Sequence, residues 1–448
     1  MTQWPEPSSR SKQLYDRGLN VFPGGITRTL PWQDPFPVYA LRGEGAYVID
    51  VDGTRRLDLL NNFAALIHGH AHPAVVEAVR RQVGNGSCFT SPTEQEVTLA
   101  ETICARAKSF EQVRFCNTGS EAVMSAIKAA RALTGRPKIV KAEGVYHGSY
   151  DYAEVSLDSN PSNWGNEPSS IGYSKGVPKG VTDDVIVVPF NDVEAAERII
   201  RANASQIAAV LMDAAPSYLG FLPMSEKFIA MIERVTREIG AVFILDEVIT
   251  FRAHSGGAQT LLGIQPDITT LGKIIGGGFP VGAVVGRREF MKVYDHRQGK
   301  PALPWSGTFT ANPVTMTAGK VTLDLLDDAA IDRLNALTAR VVNELNARFK
   351  RSGCRCQVTG FASMFMIFGH DRPVIDYRTA YSSPDEAARI TALQRGLTEE
   401  GFHIAKTGKA FLSTPMSEQD IDSFIAAVIR LTEKTERQDS RFQVQSVL

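Results

Sequence analysis

The sequence predicts an α/β protein: a large, mostly parallel sheet flanked by helices, with a smaller domain beside it. Three observations lead there. The runs Val185–Val188, Ile207–Met212 and Ala241–Leu245 are apolar without alternation, the pattern of strands covered on both faces. Between the last two, Phe228, Met231, Ile232, Val235 and Ile239 recur at three- and four-residue steps, and Gly240 follows as a helix stop. Strands that alternate with helices build a sheet with helices on its faces.

Length and composition agree with this reading. The 448 residues suffice for one large domain and a smaller one, expected as an N-terminal segment 1–75, a large domain 76–315 and a C-terminal region 316–448. With 43% apolar and 22% charged residues, the chain has the make-up of an ordinary globular protein. A net charge of −1 provides no field for nucleic acid or an anionic membrane. No run of about 18 apolar residues occurs, and the polar start Met1–Arg10 lacks the apolar centre of a signal peptide. A cytoplasmic enzyme is the expectation. The five cysteines are an odd number without secretory context, which argues against a disulfide framework. Cys354 and Cys356 have no second ligand pair at zinc spacing, so no metal is expected.

The long stretch 156–184, rich in Ser, Asn, Gly and Pro, reads as a loop inside the large domain, either a lid or a surface insertion. Beyond residue 315 a helical pattern over Asp328–Arg351 precedes the apolar segment Ser363–Phe368. The last dozen residues are polar and are expected to fray.

Three segments carry the chemistry. In Arg114–Ala122 a strand ends near Cys116 and a helix starts near Glu121, with Gly119 for a tight turn and Ser120 for a hydroxyl. A helix N-terminus offers unpaired N–H groups to a phosphate, although an ordinary capped helix has the same look. In Leu245–Val248, Asp246 stands at a strand end, where ligands bind in open α/β sheets. Such a carboxylate needs a partner, and a protonated pyridine nitrogen would be one; capping of the following loop is the plainer alternative. In Asp267–Pro280, Lys273 lies between Leu271-Gly272 and Ile274-Ile275. Desolvation there favours a neutral, nucleophilic amine.

Together with Gly69-His-Ala-His-Pro73, Tyr146-His-Gly148 and Ser306-Gly-Thr308…Asn312-Pro313, these segments resemble the class III, fold type I aminotransferases that use pyridoxal 5′-phosphate (PLP). The resemblance runs from about Phe22 to about Ile429 and is nearest to the β-amino-acid (β-phenylalanine type) aminotransferases and glutamate-1-semialdehyde aminomutases. It implies a large PLP-binding domain and a small α+β domain made from both termini. By the same resemblance Lys273 holds the cofactor as a Schiff base and carries the proton. Asp246 pairs with the pyridine nitrogen, Val248 and Tyr146 cover the two ring faces with His147 nearby, and Gly119 and Ser120 bind the phosphate. Thr308 reaches the phosphate of the neighbouring subunit, so a homodimer with shared active sites is implied. His68, His70 and His72 belong to the Gly-His-Ala-His-Pro turn and are assigned a structural role.

Departures narrow the choice. Thr250-Phe-Arg252 lacks the glycine usual in aminomutases, and Gly408–Ser413 stands where they carry Phe-Glu-Ala-Gly-Phe. The segment Pro23–Gly45 resembles the β-amino-acid enzymes, whose carboxylate-binding arginine matches Arg28. Their second such arginine aligns with Thr407, which leaves Lys406 or Lys409 as substitutes, and Asp213-Ala-Ala-Pro216 replaces the usual Glu-Pro-Val. The expected reaction moves an amino group from a carboxylate-bearing amine to a 2-keto acid. An aminomutase or amino-acid racemase on the same cofactor is the alternative.

Overall fold

The computed structural model describes residues 3–297 and 299–445, with side chains described as far as 434. The chain divides into two compact units.

The larger unit, Pro73–Ile331 with Val374–Tyr381, is built on seven strands: β1 Gln112–Cys116, β2 Lys138–Ala142, β3 Val185–Val188, β4 Ile207–Asp213, β5 Val242–Asp246, β6 Ile268–Gly272 and β7 Gly282–Gly286. Their spatial order is β1-β7-β6-β5-β4-β2-β3. All pairings from β6 to β3 are parallel, while β7 runs antiparallel to both neighbours. β3, β4 and β5 are buried along their whole length, as continuous apolar runs require.

Local signals set the helix ends. Ser225 accepts from the Phe228 amide to open the helix Glu226–Ile239, and Gly240 closes it at φ 65°. Thr118 accepts from the Glu121 amide to open Gly119–Thr134, whose Val123, Ala126, Ile127 and Ala130 are buried. Each fully buried Ile or Val contributes about 1.5–3 kcal/mol, so this helix is held down mainly by its packing on the sheet.

The smaller unit comprises residues up to His72, Asp332–Pro373 and the chain from Ser382. It contains a sheet in the order Ala40–Glu44, Tyr47–Asp50, Arg55–Asp58, Phe402–His403, and another in the order Gln357–Phe361, Met364–Phe368, Lys409–Phe411. The helix foreseen over Asp328–Arg351 spans Asp328–Ser352.

The larger unit starts at Pro73 rather than at 76, and the division differs from the expected 76–315 and 316–448 in two further places. The helix Pro313–Leu325 stays whole in the larger unit because it packs on the helices Pro73–Asn85 and Glu94–Cys104 and on the turn Lys273–Gly276. Residues 374–381 also belong to the larger unit: Tyr377 donates to Ser159 O at 2.7 Å, and Arg378 Nε meets Glu143 at 2.9 Å. The loop 156–184 has one short helix, Lys179–Asp183, and is pinned where Ser156 Oγ donates to Ser169 O at 2.6 Å. The last helix runs Glu418–Gln445; side chains from 435 and residues 446–448, where fraying was expected, lie outside the described residues. No described helix is long and apolar enough to cross a membrane.

Candidate active site

The site grows from strand ends. Because β7 is antiparallel, its first residue, Gly282, stands opposite both Cys116, the end of β1, and Gly272, the end of β6. The helix start at Gly119 and the turn at Lys273 therefore leave the sheet side by side. Farther along the same edge, Asp213, Asp246 and Thr270 are register partners on β4, β5 and β6. In parallel strands such partners point to one face.

Asp246 is buried and fully engaged. Oδ1 accepts from Val248 N and Thr270 Oγ1, both at 3.0 Å, and Oδ2 lies 2.8 Å from His147 Nδ1. His147 is buried too, and burial lowers its basicity against the pull of Asp246, with Lys141 adding to the lowering. The neutral ring then carries its proton on Nδ1, where the carboxylate accepts it. His147 Nε2 is enclosed without a hydrogen-bond partner.

Lys273 follows β6 directly, with φ at 51°. A left-handed backbone costs a residue with a side chain roughly 1–2 kcal/mol, and such strain collects at functional positions. Burial lowers its ammonium pKa, while Asp246 and Asp213 oppose the shift. The amine is thus easier to free of its proton than an exposed lysine.

Val248 closes the gap between the two turns. A Cβ at Gly119 would stand 2.9 Å from Val248 Cγ1, and one at Gly272 would stand 3.2 Å from it. Gly119 is therefore required by close approach. At Gly148, φ is +88°, and an added Cβ would meet Ser120 Oγ at 2.5 Å. The same Ser120 Oγ accepts from Ser149 N at 2.9 Å, which ties the segment Tyr146–Ser149 to the first turn of the helix Gly119–Thr134. Tyr146 is 37% exposed, and its ring lies 6.2 Å from that of Tyr218, whose phenol burial pushes up to about 12.

Contacts thus bring together Lys273, Asp246, His147, Val248, Gly119 and Ser120, with Tyr146 next in chain to His147. Thr308 is exposed, and its carbonyl accepts from Cys88 Sγ at 3.4 Å. Arg28 belongs to the smaller unit. There its Nη1 donates to Asn62 Oδ1 at 2.9 Å, and its guanidinium stands 5.1 Å from the Phe63 ring centroid. Residues Asn61, Asn62, Phe63 and Ala64 all have positive φ. Of the two substitutes for a second arginine, Lys406 is exposed, whereas Lys409 is buried and lowered by burial to about 7. His70 Nε2 lies 2.7 Å from Asp58 Oδ2, and His68 Nδ1 lies 3.0 Å from Thr414 Oγ1, which uses these rings in local hydrogen bonds.

Sequence reasoning missed Thr270 and Tyr218, and noted Asp213 only as a departure. Thr270 sits three residues before Lys273 inside a buried strand, and only the ladder shows that it faces Asp246. The residues fit PLP. A carboxylate oriented by an imidazole suits a protonated ring nitrogen, an adjacent amine suits an aldehyde, and a 16-residue helix opening on Gly119-Ser120 suits a phosphate.

A family profile described as aminotransferase class-III matches residues 29–415. The glutamate-1-semialdehyde 2,1-aminomutase of Symbiobacterium thermophilum is 40% identical over 402 residues, which is 88% of this chain and 90% of that protein. The crystal structure of an omega-transaminase from Sphaerobacter thermophilus superposes with a TM-score of 0.93 at 46% identity, covering 96% of this chain and 98% of that one. A beta-phenylalanine aminotransferase from Variovorax paradoxus superposes with a TM-score of 0.83 at 32% identity, covering 94% and 93%.

Proposed function

We propose, from the premise that this chain belongs to the class-III aminotransferase family and is a PLP-dependent transaminase, that it takes the amino group of a β-amino acid and passes it to a 2-keto acid. The observation that carries the site reading is Asp246, held by three donors on the same sheet edge from which Lys273 emerges.

Bound PLP supplies an aldehyde that captures amines and a ring that withdraws electrons from the carbon bearing the nitrogen. The chain's residues do the rest. Lys273 Nζ holds the cofactor between turnovers; once displaced, its free amine takes the proton from the amine-bearing carbon and delivers it elsewhere. Its lowered basicity keeps that amine available. Asp246 balances a positive ring nitrogen, and His147 keeps the carboxylate aimed. Gly119 and Ser120 hold the phosphate with the helix N-terminus. Tyr146 and Val248 bound the ring on its two faces. Thr308 completes the phosphate site of a partner subunit in a cytoplasmic homodimer, for which its exposure is suited.

Arg28 supports an acid as donor. A guanidinium grips a carboxylate through two parallel hydrogen bonds, and Asn62 with the Phe63 ring holds this one in place. The likeness to transaminase structures favours transfer to a separate acceptor. The sequence likeness to aminomutases supports a second reading, an isomerase that needs no keto acid. A donor-by-acceptor activity panel separates the two: transfer from β-amino acids must depend on an added acceptor such as 2-oxoglutarate or pyruvate. In Arg28→Ala, acids should lose about 10- to 100-fold in kcat/KM, the worth of a charge-assisted pair, while simple amines change little. Product formation without any acceptor would refute the transaminase reading.

A further inference from the structure

Two carboxyls share the cofactor edge of the sheet, and they are unequally supported. Asp213 and Asp246 are register partners on parallel strands, so their side chains leave one face about 4.8 Å apart. They are 6% and 5% exposed. Asp246 accepts from Val248 N, Thr270 Oγ1 and the His147 ring. Asp213 takes a backbone donor, Ala215 N, at 2.9 Å on Oδ1. Two neighbouring buried carboxyls resist joint ionisation, and the proton settles on the one with the poorer set of donors.

We propose that Asp213 is a neutral carboxylic acid in the working site and offers its proton as a hydrogen bond to the oxygen carried on the ring of bound PLP, leaving Asp246 as the sole carboxylate of the pair. The groups acting on Asp213 agree. Burial raises its carboxyl well above the ordinary range, Asp246 and Glu247 on the β5 side raise it further, and the Ala215 amide and Lys273 pull the other way. Lys141 on the neighbouring β2 donates its ammonium protons to the carbonyls of Val155 and Ala142, at 2.7 and 3.3 Å. A neutral Asp213 adds no charge that would hold Lys273 in its ammonium form. A protonated carboxyl and an amide are near-isosteres as donors, so the site tolerates an acid where the chemistry needs only an N–H or O–H.

This inference rests on the site reading above. The test uses PLP-loaded wild type, Asp213→Asn and Asp213→Ala, and reads the pH midpoint of the visible cofactor band and the affinity for PLP. Asparagine mimics the protonated acid. Its midpoint should stay within about 0.3 pH unit and its affinity within about threefold. Alanine removes the donor and should weaken PLP binding by about tenfold or more. A midpoint shift of about one unit in Asp213→Asn, the effect of deleting a nearby negative charge, would overturn the proposal. So would an alanine variant indistinguishable from wild type. Should the alanine variant not fold, the infrared difference between wild-type and Asp213→Asn holoenzymes decides: a protonated-carboxyl C=O band in wild type supports the proposal, and its absence overturns it. A wild type with no visible cofactor band would instead sink the site reading, and this inference with it.

Discussion

The sheet edge that carries Asp213 and Asp246 and the outer faces of the helices Val193–Ala202 and Glu226–Ile239 put charged residues to opposite ends. On the helices, Arg201 bridges Glu197 at 2.8 Å and Glu238 at 2.5 Å, and Arg234 reaches Glu197 at 2.7 Å. All four side chains are 26–47% exposed, so water and salt compete for every contact. At the sheet edge Asp246, His147 and Asp213 are buried and Lys273 is partly buried, so water competes far less. Neighbouring charges and burial shift the protonation of His147, Asp213 and Lys273, and the ladder fixes the spacing of the strand-end carboxyls. The lesson is that the number of charges says little; what counts is whether solvent can answer them.

The largest expected effect breaks the buried side outright. Lys273→Ala should lower single-turnover amino transfer by about 10³-fold or more, since general-base catalysis alone is worth 10²–10⁴. The PLP-dependent band should also lose its sensitivity to borohydride reduction. Asp246→Asn comes next. It keeps the hydrogen bond from His147 and deletes the charge, and kcat should fall by about 10²–10³-fold, the scale of one preorganised electrostatic contact. Retention of wild-type kcat would mean that the ring nitrogen is balanced elsewhere.

A third measurement sharpens the contrast through pH. Burial lowers Lys141 to about 7 against an ordinary 10.5, with Glu143 opposing. Between those values the unfolded chain binds the extra proton, so stability rises with pH across that window and the contribution levels off below about 7. Lys141→Met should flatten the rise, read as melting temperature from pH 7 to 10. An unchanged slope would show that the two carbonyl acceptors hold the ammonium charged throughout. The smallest effect belongs to the exposed network: Arg234→Ala should leave the melting temperature unchanged within error in moderate salt.

Much of this was legible in advance. β3 begins and ends where the apolar run Val185–Val188 does, and the Glu226–Ile239 helix ends at the glycine that marks its stop. These are local signals, written within a few residues of where they act. The helix start at Gly119 and the turn at Lys273 were readable because their residue types are confined to a short span and matched a family. Asp213 was legible only as a departure, a shorter carboxylate where Glu-Pro-Val usually follows a strand. Only the register with β5 makes it a neighbour of Asp246. Likewise Asn61-Asn62 hints at left-handed backbone, yet neither Phe63 nor Ala64 favours it, and that turn is imposed by its surroundings.

The amino-acid sequence by itself determined the periodicities, the caps and the chemical kinds of the groups, because these depend on neighbours along the chain. The tertiary structure alone decided which carboxyl has three donors and which has a backbone amide, why β7 brings two turns together, and how far burial moves each proton. Those properties depend on the distance through space between residues tens of positions apart, and on the exclusion of water, neither of which a linear order specifies.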